Sequence, residues 1–351
     1  MDMHEVLTAV KKQDQRAVLA TIICVEGHSY RKAGATMLFM LGGKQVGTIS
    51  PGCLEHDLME RAEEIWATGR IVCIDYNMNQ DEDIVWGEAI GCGGEIRLLL
   101  EPVDERLRAV LLKVKEKNDE GHSVKLTRSW NDLDINYTLS EGTGDEDAIA
   151  YTERHDEGLK MMSMDISPRP RLVLFGAGKD ADALCALVKS IGFHIIIADW
   201  RAAICTKERY PDAECIVGTP EEIMEEVGFR PEDYLIVCSH QLQQDREMIR
   251  LALPLKLVYI GVMGSKKRIR LLFETFLIPS NVRAPIGLSI GADGPAEIAV
   301  SVAAELIAIR VGIKQRSRKE WGRDVDFGPL FGGRAKQAHG SSQAIARAGD
   351  K

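Results

Sequence analysis

Leu172-Val173-Leu174-Phe175-Gly176-Ala177-Gly178-Lys179-Asp180-Ala181 reads as a buried strand that ends in a glycine turn and passes straight into a helix. The first glycine permits the tight turn, the second lets backbone amides approach a phosphate, and Ala181 allows close packing of helix on strand. Such a GxGxxA string is common on its own, and its surroundings give it weight. Ile195-Ile196-Ile197-Ala198 forms the next strand, closed by Asp199. That is about 20 residues on, where dinucleotide-binding folds place an acid against ribose hydroxyls.

Strand candidates continue at Glu214 to Val217, Asp233 to Cys238 and Lys256 to Ile260, with helical stretches between most of them. Alternation of this kind predicts a parallel, doubly wound sheet. A last helix is expected from Pro295, a favourable first helical position, to Arg310. The fold class is therefore α/β: a Rossmann-like doubly wound domain over residues 169–313, then a polar tail over 314–351 that is loosely ordered at its end.

Upstream, residues 1–103 predict an N-terminal mixed α/β domain that contains the cysteine-bearing turns. Its strands are Val18 to Val25, Thr36 to Met40, Ile71 to Tyr76 and Glu95 to Glu101. Its helix runs from about Cys53 to Ala67, because Leu54, Leu58, Ala62 and Ile65 recur at helical spacing. Residues 104–117 form another helix. From 118 to 168 the chain turns polar, with the acidic stretch Glu141 to Asp147 and the break Ser167-Pro168-Arg169-Pro170. Residues 104–168 are accordingly expected as a helix and an irregular linker.

Composition excludes several function classes. The 351 residues are 45% hydrophobic and 28% charged, an ordinary globular balance, and no apolar run approaches the ~18 residues a membrane span needs. The N-terminus has neither the basic nor the apolar stretch of a secretory signal. A net charge of -9 argues against broad binding of nucleic acid or acidic membrane. The eight cysteines form no CxxC pair, so reduced thiols in the cytoplasm are expected. Cys24, Cys73, Cys185 and Cys238 lie in apolar runs and read as small core residues.

The loops at one edge of the parallel sheet supply candidate ligands. Asp180 and Asp182 suit the dipole of the helix they begin but disfavour a bound pyrophosphate. Arg201, just past Asp199, leaves the choice between NAD and NADP open, and an idle Rossmann site is the alternative to both. His240 is a catalytic candidate as acid or base, or a phosphate partner, with Asp245 beyond it; otherwise it is a loop histidine satisfied by Asp245. Gly264-Ser265-Lys266, with Lys267 and Arg268, combines a glycine, a capping serine and cations, the ingredients of an anion site or of a solvated basic turn. Glu297 reads as a solvated first-turn residue, the alternative being a cap on backbone amides.

Two cysteines differ from the rest. Cys92 stands in Gly91-Cys92-Gly93-Gly94 and Cys53 in Ser50-Pro51-Gly52-Cys53-Leu54-Glu55, at a helix start that stabilises a thiolate. Thiols on glycine turns point to ligand handling rather than packing. Cys53-x-x-His56 lacks the other ligands of a structural zinc site. Three functions remain in play: a cofactor-binding protein, an NAD(P)-dependent oxidoreductase with His240 as acid/base and Asp199 on the ribose, and a redox sensor using Cys53 and Cys92.

Taken together, Gly52-Cys53-Leu54-Glu55, Gly91-Cys92-Gly93-Gly94-Glu95 with Glu101-Pro102, the Gly176 turn, Ser239-His240 with Asp245, Tyr259 to Lys267, Ala284 to Leu288 and Ile290 to Glu305 resemble the xanthine dehydrogenase accessory protein family (XdhC/CoxI type). The resemblance covers roughly residues 5–103 and 170–312. It implies a maturation factor, a chaperone more than a catalyst. Such a factor binds molybdenum cofactor, protects it during sulfuration by a cysteine desulfurase, and delivers it to an apo molybdenum hydroxylase of the xanthine dehydrogenase type. On this resemblance Cys53 and Cys92 contact the cofactor's molybdenum or sulfur, a role suited to soft thiolates. The Gly176, Gly178, Asp199, His240 and Gly264-Ser265-Lys266 turns then hold its phosphate end or a related nucleotide such as NAD(P). A homodimer is expected. The sequence departs from the family pattern at Gly27-His28-Ser29-Tyr30, at Pro51-Gly52-Cys53 and at Ser239-His240.

Overall fold

The computed structural model describes residues 2–12, 15–52, 54–78, 94–131, 134–145, 148–154, 158–275 and 277–320. The first half is built on a five-stranded antiparallel sheet of β1 (Ala17–Gly27), β2 (Thr36–Met40), β3 (Gln45–Gly47), β4 (Val72–Asn77) and β5 (Gly94–Pro102), in the order β3-β2-β1-β5-β4. Both faces of its centre are buried. From β1, Val18, Ala20 and Ile22 pack with Leu58, Ala62 and Ile65 of α2 (Glu55–Thr68). Ala17, Leu19 and Ile23 face the other way, toward α1 (Asp2–Lys12) and α3 (Glu105–Asp119). Alternation along a strand puts neighbours on opposite faces, and a bulge between Ile22 and Cys24 resets that phase.

Residues 118–168 are not an irregular linker. They form a four-stranded antiparallel sheet of β6 (Val124–Trp130), β7 (Ile135–Glu141), β8 (Ile149–Arg154) and β9 (Leu159–Ile166), ordered β7-β6-β9-β8. Val124, Leu126, Trp130, Met162, Met164 and Ile166 share one core with α1, α3 and the first sheet. The segment reads as polar because its outward positions are polar and because Arg128 stands at an inward one.

The second half contains a six-stranded parallel sheet of β10 (Arg171–Phe175), β11 (His194–Asp199), β12 (Glu214–Val217), β13 (Tyr234–Val237), β14 (Tyr259–Val262) and β15 (Val282–Arg283). Its order is β12-β11-β10-β13-β14-β15. This is the Rossmann order, and chain direction across the sheet reverses between β10 and β13. Helices α4 (Lys179–Ser190), α5 (Pro220–Val227), α6 (Leu242–Ala252) and α7 (Lys266–Leu272) alternate with the strands. Val173, Phe175, Ile196, Leu235 and Val237 pack against α5, α6 and α7 on one face, while Leu172, Leu174, Ile195 and Ile197 are buried on the other.

The last helix, α8 (Gly294–Glu320), runs past the expected end at Arg310. Glu297 is not merely solvated: its Oε2 accepts the Asp293 amide at 2.8 Å and so caps the helix start. No helix among the described residues is long and apolar enough to cross a membrane.

Candidate functional site

The β10–β13 switch point brings two loops into contact. Gly176 has φ 121°, and a Cβ there would stand 2.5 Å from the backbone N and Cα of Ser239. Only glycine allows the first loop to lie so close to the second. Gly178 differs: it is the N-cap of α4 with an ordinary φ of -84°, and a Cβ on it would meet nothing within 4 Å. Gly176 is thus a packing requirement, whereas Gly178 leaves open space before the first amides of α4, where the helix favours an anion.

Asp199 is fully buried at the end of β11. Its Oδ2 accepts the Ala177 amide at 2.7 Å and Arg201 Nη2 at 2.7 Å; its Oδ1 accepts the Arg201 amide at 2.8 Å and Arg201 Nε at 2.9 Å. Burial works against the carboxylate charge, but Arg201 and these two amides outweigh it and hold the carboxyl below its ordinary pKa. The carboxylate expected to meet ribose hydroxyls instead fastens the glycine turn to the end of β11. Arg201 lies over the ring of Trp200, 4.5 Å from its centroid, with 41% of its side chain exposed.

His240 follows β13 with φ 62°, a left-handed backbone that is unusual outside glycine. Its Nε2 stands 2.6 Å from Asp180 Oδ2 on the first turn of α4. The expected partner, Asp245, is engaged elsewhere: this fully buried carboxylate accepts from Ser239 Oγ and, at 2.6 Å, from Arg268 Nη2. Asp245 sits in the first turn of α6, too far inside to reach an exposed loop histidine. Through Asp245 the start of α6 is tied to Ser239 in the loop after β13 and to Arg268 in α7. Ser265 caps α7 by accepting the Arg268 amide at 3.3 Å, and Lys266 and Lys267 are exposed beside it. Of the three cations read as an anion site, Arg268 is thus committed to the protein.

Cys53 and Cys92, the thiols expected to contact a metal end, lie outside the described residues, as does the Gly91–Gly93 turn. Their described flanks share one core, because Ile49, Leu54, Met78 and Ile96 all pack with the α2 face of the first sheet. Around the Cys53 turn, Ser50 Oγ accepts the Gly52 and Leu54 amides at 3.2 Å each, and Glu55 Oε1 accepts the Ser50 amide at 2.9 Å. Sequence reading missed this clamp, although a serine and a glutamate bracketing the turn were visible. Register also pairs Gly94 with Gly27, so the start of β5 meets the start of the His28 loop.

The remaining cysteines are structural in setting. Cys238 is buried behind Gly176, with Sγ 3.5 Å from the Gly176 carbonyl oxygen. Burial raises the thiol pKa of Cys185 and of Cys205 to about 12. Cys24, Cys73 and Cys185 are only half-buried, rather than fully in the core.

A Rossmann sheet of this order, with a glycine turn at its switch point and an antiparallel sheet before it in the chain, defines a mixed α/β protein of the Rossmann type. Residues 172–306 match the XdhC Rossmann domain, and residues 10–77 match the XdhC and CoxI family. The chain is 36% identical over 330 residues to a probable xanthine dehydrogenase subunit of Bacillus subtilis (strain 168), covering 88% of this chain and 98% of that one. It is 24% identical over 307 residues to the molybdenum cofactor insertion chaperone PaoD of Escherichia coli (strain K12), covering 84% of each. Among solved structures it is similar to one described as a xanthine dehydrogenase from Bacillus halodurans, with TM-score 0.77 and 35% identity over 92% of this chain and 98% of that one. The chain belongs to the XdhC and CoxI family.

Proposed function

We propose that this protein is a cytoplasmic maturation factor that binds molybdenum cofactor and delivers it, after sulfuration by a cysteine desulfurase, to an apo molybdenum hydroxylase of the xanthine dehydrogenase type. It acts as a chaperone more than as a catalyst, and as a homodimer. The observation that carries the reading is the opening at Gly178, an unfilled space at a helix start on the switch point of a Rossmann sheet. An anionic end of a cofactor fits there. In support, a relative similar along most of the chain is named as a molybdenum cofactor insertion chaperone. In this reading Gly176, Gly178, His240, Gly264, Ser265 and Lys266 frame the phosphate end, and Cys53 and Cys92 take the molybdenum or its sulfur.

Anaerobic titration of the protein with molybdenum cofactor tests the proposal, with Cys53→Ser and Cys92→Ser titrated alongside. Saturable binding that weakens in both variants is the expected result. Unchanged binding in both would remove the thiols from the site, and no binding by the wild type would end the reading.

A second reading rests on the GxGxxA turn itself: the Rossmann half holds NAD(P) or a related nucleotide, as a resident ligand or for an oxidoreductase activity with His240 as acid or base.

A further inference from the structure

In an unmodified dinucleotide site, a free carboxylate at the end of the second strand accepts the ribose hydroxyls. Here that carboxylate is spent. Asp199 is fully buried, and both its oxygens are filled by the Ala177 amide, the Arg201 amide and two nitrogens of the Arg201 guanidinium. What this edge presents is therefore a cation. The bidentate pair and the Trp200 ring hold the Arg201 guanidinium from two sides, and among the described residues its Nη1 has no partner. The acids nearby are already engaged, Asp182 by Arg209 at 2.7 Å and Asp180 by His240 at 2.6 Å.

We propose that Arg201 is the specificity residue of this site: it takes a phosphate monoester on the adenosine ribose, so that the Rossmann half binds a dinucleotide of the NADP class in preference to its unphosphorylated counterpart. The inference rests on the second reading above, that this strand edge holds a nucleotide. A ribose offering only hydroxyls finds no acceptor at Asp199 and gains little from a guanidinium. A ribose phosphate gains charge-assisted hydrogen bonds from a donor already fixed in place, so little side-chain freedom is lost on binding. Asp199 acts as the positioning residue, since it sets the direction of the fork without touching the ligand.

Isothermal titration of the full chain with NADP+ and NAD+, for wild type, Arg201→Ala and Arg201→Lys, tests this. Wild type is expected to bind NADP+ about tenfold to a hundredfold more tightly than NAD+, a span set by one charge-assisted contact. Arg201→Ala should erase that preference, and Arg201→Lys should keep only part of it, because an ammonium cannot form the two-toothed pair with Asp199. Thermal unfolding of both variants confirms that any loss is not a loss of fold. Equal affinity for the two nucleotides in wild type, or a preference unchanged in a folded Arg201→Ala, overturns the specificity proposal and leaves the nucleotide reading standing. Binding of neither nucleotide overturns both.

Discussion

Arg128 Nε lies 2.9 Å from Glu101 Oε2, and neither side chain is exposed to solvent. Glu101 is on β5 of the first sheet and Arg128 on β6 of the second. Burial raises the Glu101 carboxyl pKa, while Arg128 and the Tyr137 hydroxyl work in the opposite direction. An ion pair joining two sheets through their shared core makes the middle of the chain part of the N-terminal fold.

Removing one partner leaves the other as an uncompensated buried charge. Glu101→Gln or Arg128→Met alone is expected to destabilise the protein by about 3–5 kcal/mol. The double variant Glu101→Leu with Arg128→Met should recover most of that loss. Urea denaturation of the three variants measures it; single variants within ~1 kcal/mol of wild type would mean the pair does not hold the sheets together.

The two glycines of the turn should separate fold from binding. Gly176→Ala forces a Cβ into the Ser239 backbone at a left-handed φ, and a loss of more than about 2 kcal/mol is expected in thermal or chemical unfolding. Gly178→Ala has room and an allowed φ. It should stay within about 1 kcal/mol of wild type while weakening whatever anion the turn binds, which a titration with molybdenum cofactor would register.

Asp199 makes an acid-side prediction. A carboxyl held below its ordinary pKa in the fold contributes stability above its unfolded value, and that contribution is lost as pH falls through the folded value. Asp199→Asn should therefore be less stable than wild type by a constant amount between pH 5 and 8, with the gap closing below about pH 4. Denaturation curves across that range decide it; a gap that widens toward acid would contradict the assignment.

Thiol reactivity should divide the cysteines. With pKa values raised to about 12 by burial, Cys185 and Cys205 hold on the order of one thiolate in ten thousand at pH 8. Brief alkylation of the native protein, mapped by mass spectrometry, is expected to leave both unmodified and to label them only after unfolding.

Much of this was legible along the chain. The strand–glycine–helix passage at Leu172 to Ala181 identified the Rossmann half, because a turn so short admits few backbones and a parallel sheet needs long apolar runs. The four strands between Val124 and Ile166 escaped notice. Their alternation is real, but Arg128 at an inward position makes Val124 to Trp130 read as a polar segment. Its burial is tolerable only because Glu101, distant in sequence, arrives beside it.

The candidate site divides in the same way. Which residues lie at the sheet edge followed from sequence, since strand ends and turn chemistry are local properties. Their partners did not. His240 meets Asp180 instead of Asp245, Asp245 turns inward to Ser239 and Arg268, and Asp199 binds the Ala177 amide and Arg201. The Rossmann class, most of the elements and the positions able to carry chemistry are readable along the chain, because they depend on short-range backbone and hydrophobic patterning. Only the tertiary structure decided which charges are free to meet a ligand, because a buried carboxylate takes the nearest donors that folding brings to it, whatever their distance along the chain.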